Sequence, residues 1–248
     1  PAAIQAAGGA PLTVVYRRSG ARHTATLTPT ADENGHYKAG VWVRDSGAGI
    51  GTMSFVDPHR GTFAGLGHSI SDADTGADLT LLSGEIVPVT ITGCIRGAAG
   101  SPGELRGEFA AAPAGTVLAN DAAGVYGSYT GSCTAPALPV ANLQEVTPGE
   151  AELWTTVLGT TAQPYTIQVE RVTMTGSDPN RNLLIRVTDK RLLDATGGVV
   201  QGMSGSPIVQ NGRLAAVLTH VLVNDPSRGY AIFATTMLEK ADAVASSK

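Results

Sequence analysis

The chain has 248 residues, of which 42% are hydrophobic and only 15% charged, so it holds enough apolar material for a sizeable core in one large unit or two small ones. Its formal net charge is −4, and without runs of lysine and arginine it lacks the electrostatic footprint of a nucleic-acid binder. No stretch of about 18 apolar residues reads as a membrane-spanning helix, and no charged segment followed by an apolar one marks a signal peptide at the N-terminus.

With 31 glycines and 14 prolines, the chain is expected to be built of short strands and many turns rather than as a helical bundle. It starts with a helix end at 2–7, then strands near 12–18 and 23–27 that close at Thr28-Pro29. Strands follow at 41–44, 51–56, 61–66, 79–82 and 85–94, each bounded by Gly, Pro, Asp or Asn. A second series runs at 108–110, 116–118, 151–157, 165–172, 183–187, 206–210, 213–223 and 230–234. Asn211-Gly212 between two apolar runs signals a tight hairpin. Only 236–244 has helical spacing, with Met237, Leu238, Ala241 and Val244 on one side.

Two short strings carry chemistry. Gln201-Gly202-Met203-Ser204-Gly205-Ser206-Pro207 sets a serine between glycines in a compact turn, like the nucleophile turn of chymotrypsin-like serine proteases. Gly202 has access to backbone angles closed to other residues, which lets the amides of Gly202 and Ser204 point at one spot and form an oxyanion hole. A nucleophilic serine needs a base, and Gly65-Leu66-Gly67-His68-Ser69 offers His68 among small residues. The expected fold is all-β, a chymotrypsin-like double β-barrel with a C-terminal helix. His68 on the first barrel and Ser204 on the second then face the cleft between them.

Longer strings extend the pattern: Gly49-Ile50-Gly51-Thr52-Met53-Ser54-Phe55, Phe63 to Asp72, Gly100-Ser101-Pro102-Gly103-Glu104-Leu105, Gly124-Val125-Tyr126-Gly127, Val199 to Ile208, and Thr219 to Pro226. Together these motifs resemble the SpoIVB peptidase family over about residues 39 to 248. The resemblance implies a serine endopeptidase of endospore formation that cleaves a membrane-bound regulatory protein and itself. That cleavage activates the intramembrane processing of a sigma factor. It implies an extracytoplasmic setting, the space between mother cell and forespore, with the full-length protein anchored to a membrane. It also implies that 1–38 is the end of a PDZ domain with its linker, that 39–248 is the peptidase domain, and that the chain is a piece of a longer protein.

The third catalytic group is less defined by the residues themselves. By resemblance, Asp189 matches the family's acid, although chymotrypsin-like enzymes take theirs from the first barrel, where Asp72 and Asp74 follow His68. His220 lies on the strand after the nucleophile hairpin and reads as a channel wall rather than a catalytic group. Gly198, six residues before Ser204, is expected at the floor of the specificity pocket, with no fixed charge to select lysine or arginine.

No cofactor is implied, and Cys94 and Cys133 have no zinc-ligand spacing. They are open to two readings, a bridge or two buried thiols. The partner expected is a protein or peptide substrate. A rival function is a protease-fold scaffold that binds peptides by strand addition without cutting. An α/β-hydrolase esterase would need a helix after the serine, where a β-hairpin is expected instead.

Overall fold

The computed structural model describes residues 2–18, 20–41, 47–72, 76–81, 83–176 and 178–246. The chain divides into two units, Pro1–Ala48 and Gly49–Lys248. The first holds helix α1 (Ala2–Ala7), the hairpin β1 (Leu12–Arg18) and β2 (Ala21–Leu27), and the short pair β3 (Thr30–Ala31) and β4 (Tyr37–Lys38). Val14, Val15 and Tyr16 of this hairpin are exposed. Most of the strand expected at 41–44 lies outside the described residues.

The second unit begins with β5 (Met53–Asp57), β6 (Thr62–Gly65), β7 (Gly84–Ile86), β8 (Val89–Ile95), β9 (Glu104–Phe109), β10 (Gly115–Asp121) and β11 (Gly124–Tyr129). Five of these form one sheet in the order β5-β6-β11-β10-β7, and β8 and β9 pair with each other as a two-stranded hairpin leaving that sheet. Then β12 (Gly149–Thr155), β13 (Gln163–Val172), β14 (Leu183–Val187), helix α2 (Lys190–Thr196), β15 (Pro207–Gln210), β16 (Arg213–Val221) and β17 (Arg228–Phe233) follow. Their six strands close a barrel in the order β12-β13-β14-β17-β16-β15. Helix α3 (Ala234–Ser246) ends the fold. The all-β, chymotrypsin-like architecture with a C-terminal helix is therefore present, its second half a closed barrel and its first half a five-stranded sheet.

Side-chain alternation makes the barrel. Ala151, Leu153 and Thr155 of β12, Tyr165, Ile167 and Val169 of β13, and Leu183, Ile185 and Val187 of β14 all point inward at a period of two. β16 is buried on both faces from Leu214 to Thr219, because Val217 on its outer side packs against Ala64, Tyr126, Ile232 and Met237. Met237 and Ala241 of α3 belong to the same cluster, so this helix closes the seam between sheet and barrel. Asn211 (φ 53°) and Gly212 (φ 74°) both adopt the left-handed turn that a two-residue hairpin requires.

Candidate active site

Ser204 sits in the turn between α2 and β15. The Gly202 φ of +97° belongs to the region glycine favours. Three amides of the turn are spent locally: Met203 on the Val200 carbonyl (3.2 Å), Gly205 on Leu218 (2.8 Å) and Ser206 on Met203 (2.9 Å). Among the described residues, the amides of Gly202 and Ser204 have no hydrogen-bond partner. The turn thus offers two unspent N–H groups beside a half-buried serine hydroxyl, the chemistry an oxyanion hole needs.

His68 is delivered by the chain leaving β6. Leu66 has φ +67°, a conformation unusual for a bulky residue, and Gly67 follows at +69°. The two turn the backbone sharply, and the Leu66 amide donates to the Thr52 carbonyl (3.2 Å). Thr52 in turn donates from its amide to the Ser204 carbonyl (2.8 Å) and from its hydroxyl to the Gly202 carbonyl (3.1 Å). One threonine therefore ties the histidine turn to the serine turn. Strain at Leu66 persists because these contacts hold the backbone on both sides.

His68 Nδ1 lies 2.8 Å from the Ser69 carbonyl. A carbonyl only accepts, so Nδ1 carries a proton, and in the neutral ring the lone pair is then on Nε2. That is the tautomer a general base requires, set here by backbone. The loop beyond is pinned by Asn120 of β10, which accepts from the Ile70 amide (2.7 Å) and donates to the Ile70 and Leu79 carbonyls (3.0 Å each). Asp78 accepts from the hydroxyls of Ser69 and Ser71, and these bonds lower its pKa.

The Ser204 hydroxyl donates to the Thr219 carbonyl at 2.7 Å. Thr219 is buried, and its own hydroxyl, with one proton to give, lies between the carbonyls of Asn180 (2.7 Å) and Tyr230 (3.0 Å). The next residue, His220, lays its ring against His68 with centroids 4.9 Å apart. Enclosure by protein, then the neighbouring His68 and Arg181, lower the His220 pKa. His68, Ser204, Thr219 and His220 are thus gathered at one edge of the barrel.

Asp189 is committed elsewhere. It is the N-cap of α2, accepting from the Arg191 amide (2.8 Å), and its carboxylate forms an ion pair with the Arg191 guanidinium (2.6 Å) and accepts from the Thr166 amide (3.3 Å). These contacts hold its pKa at about 2. The aspartate expected to orient His68 therefore spends its carboxylate on capping a helix that sequence reasoning did not foresee. Asp72 closes a turn, its amide donating to Ala77 and its carbonyl accepting from Gly76; Asp74 lies outside the described residues. Gly198 packs against the Pro226–Ser227 backbone, where a Cβ would run into the Pro226 carbonyl. Cys94 and Cys133 are free thiols.

A chymotrypsin-like fold with this serine turn and histidine loop defines a serine peptidase. The family model "SpoIVB peptidase S55" matches residues 35–238, and the chain belongs to that family. No protein of curated function matches the sequence. Among solved structures, the Rv3671c protease from M. tuberculosis in its active form is 16% identical with a TM-score of 0.39, over 64% of this chain and 79% of that one. The HtrA-type protease AlgW with decapeptide is 13% identical with a TM-score of 0.40, over 79% of this chain and 62% of that one.

Proposed function

We propose that this chain is an endopeptidase working through an acyl-enzyme, with Ser204 as nucleophile, His68 as base and then acid, and the Gly202 and Ser204 amides as oxyanion hole. The observation that carries this reading is the pair of unspent amides flanking Ser204, beside a histidine whose Nδ1 is already occupied by the Ser69 carbonyl. In the reaction the Ser204 hydroxyl turns from the Thr219 carbonyl to His68 Nε2, loses its proton there, and attacks the scissile carbonyl. The oxyanion collapses, the leaving amine takes the proton from Nε2, and water repeats the cycle on the ester. With the Asp189 carboxylate held by Arg191, we assign the orienting of His68 to the Ser69 carbonyl instead.

The family supports a finer reading. The substrate we propose is a membrane-bound regulatory protein, cleaved outside the cytoplasm between mother cell and forespore so that an intramembrane protease can mature a sigma factor. Self-cleavage accompanies it. The N-terminal unit we assign to the end of a PDZ domain over 1–38, on the strength of its hairpin and the Thr28-Pro29 close.

The test is cleavage of a peptide library by the purified chain and by Ser204→Ala. Loss of a triad serine costs on the order of a million-fold in turnover, so the variant should be silent while melting like the parent. Near-normal cleavage by folded Ser204→Ala overturns the assignment. A parent that folds but neither cleaves nor reacts with a fluorophosphonate is the peptide-binding scaffold. In sporulating cells, Ser204→Ala should block sigma-factor maturation; normal maturation would contradict the physiological role.

A further inference from the structure

The string Gly100-Ser101-Pro102-Gly103-Glu104-Leu105 lies outside both catalytic turns. It forms the end of the β8–β9 hairpin, which leaves the first sheet and docks along the barrel. Ile91 and Gly159 exchange backbone hydrogen bonds (2.8 Å each), Gly97 donates to the Thr196 carbonyl (2.8 Å) and Gly100 to that of Val223 (2.8 Å). At its return the hairpin reaches the serine turn: Gln201 donates to the Gly103 carbonyl, and Leu105 donates to the Gln201 carbonyl, both at 2.8 Å.

The second of these bonds acts on the oxyanion hole. The Gln201 carbonyl and the Gly202 amide belong to one planar, trans peptide unit, so fixing the C=O on one side aims the N–H at the other. For Ser204 the same job is done inside the turn, where the Ser206 amide holds the Met203 carbonyl. For Gly202 the holding group comes from the other half of the fold. The Leu105 side chain, itself buried, also lies flat on Gly202; a Cβ at 202 would stand 3.0 Å from the Leu105 Cβ. Gly103 is what lets the hairpin close this tightly, because a Cβ there would run into the Ile95 carbonyl and the Gly97 amide.

We infer that the β8–β9 hairpin sets the Gly202 half of the oxyanion hole, with Leu105 as the positioning residue that aims the Gly202 amide. This rests on the Ser204 assignment above. Peptidase activity then depends on whether the hairpin is seated on Gln201, and a partner or segment that lifts it would switch off transition-state binding without blocking substrate.

The test uses Gly103→Ala, whose added methyl would meet the Ile95 carbonyl and the Gly97 amide and so displace the hairpin end that bonds Gln201, and Leu105→Ala, which keeps the amide but removes the side chain against Gly202. Three readings are taken on each: kcat and KM for a cleaved peptide, affinity for a peptide boronate whose tetrahedral adduct fills the oxyanion hole, and affinity for the uncleaved peptide in the Ser204→Ala background. Losing one oxyanion-hole donor costs about 10²–10³ in kcat. Gly103→Ala should lose kcat on that scale and boronate affinity in parallel, with uncleaved-peptide affinity unchanged. Normal kcat and boronate affinity in folded Gly103→Ala overturns the inference, as does an equal loss of uncleaved-peptide binding. If Gly103→Ala does not fold, Leu105→Ala decides by the same readings: a parallel loss of kcat and boronate affinity supports the inference, and parental values refute it. Cleavage surviving in Ser204→Ala itself would instead fault the nucleophile assignment, which the three readings keep separate.

Discussion

His68 and His220 meet ring to ring, with centroids 4.9 Å apart and planes inclined at 34°. Two imidazoles this close cannot both be protonated without repulsion. Arg181 adds to the cost of charging His220, and Asp178 offsets part of it. The folded protein therefore binds a proton at His220 less readily than the unfolded chain does, where the ordinary value is 6.5. Stability from this site is unaffected above that pH and is lost as pH falls from it through the lowered folded value. His220→Phe keeps a ring against His68 without the charge. It should flatten the decline of melting temperature below about pH 6.5, the unperturbed histidine value, and should keep peptide cleavage. An unchanged acid decline in His220→Phe would contradict this.

Asp189 gives a second prediction. As the N-cap of α2, it should cost about 1 kcal/mol of stability when replaced by alanine. Asp189→Asn, which can still cap, should lose less. Its pKa of about 2 lies below the ordinary 3.8, so its contribution is present above the unfolded value and is lost as pH falls through the folded one. Turnover near neutral pH should drop less than tenfold in Asp189→Asn, far from the roughly ten-thousand-fold loss of an aspartate that orients a catalytic histidine. A loss on that larger scale in a variant melting like the parent would restore Asp189 to the site.

The cysteines should behave as separate thiols. Cys133 is exposed, whereas Cys94 is partly buried, donates to the Ile95 carbonyl (3.2 Å) and has its pKa raised by desolvation. Alkylation under native, non-reducing conditions should label Cys133 quickly and Cys94 slowly, because the thiolate is the reacting form. Reductant should leave the melting temperature unchanged. A mass showing both thiols protected until reduction would contradict this.

Much of the barrel could be read from the chain because its strands alternate strictly, as in Ala151, Leu153 and Thr155, and because Asn211-Gly212 admits little but a hairpin. β11 was passed over: Gly124 and Gly127 dilute its strand signal, yet it sits in the middle of the sheet between β6 and β10. The expected strand 85–94 is broken in two at Val87-Pro88, between β7 and β8. Helix α2 is not legible because its seven residues are too short to show a period, and with it the N-cap role of Asp189 stays hidden, although Lys190 and Arg191 beside it already offer an ion pair. His68 and Ser204 were legible from small-residue turns. The Ser69 carbonyl, the Thr52 tie and the Leu105 amide were not, since each acts through backbone or at long sequence separation, and no local pattern records that. His220 was noticed as a wall residue, but its contact with His68 arises only when β16 is laid beside the histidine turn.

Activation of Ser204 by His68 is read out by a fluorophosphonate adduct. The folded chain, treated near neutral pH and mapped by mass spectrometry, should carry a single adduct on Ser204, with labelling lost in Ser204→Ala and strongly slowed in His68→Gln. An adduct on Ser206 instead, or labelling of Ser204 at the parental rate in His68→Gln, would contradict it.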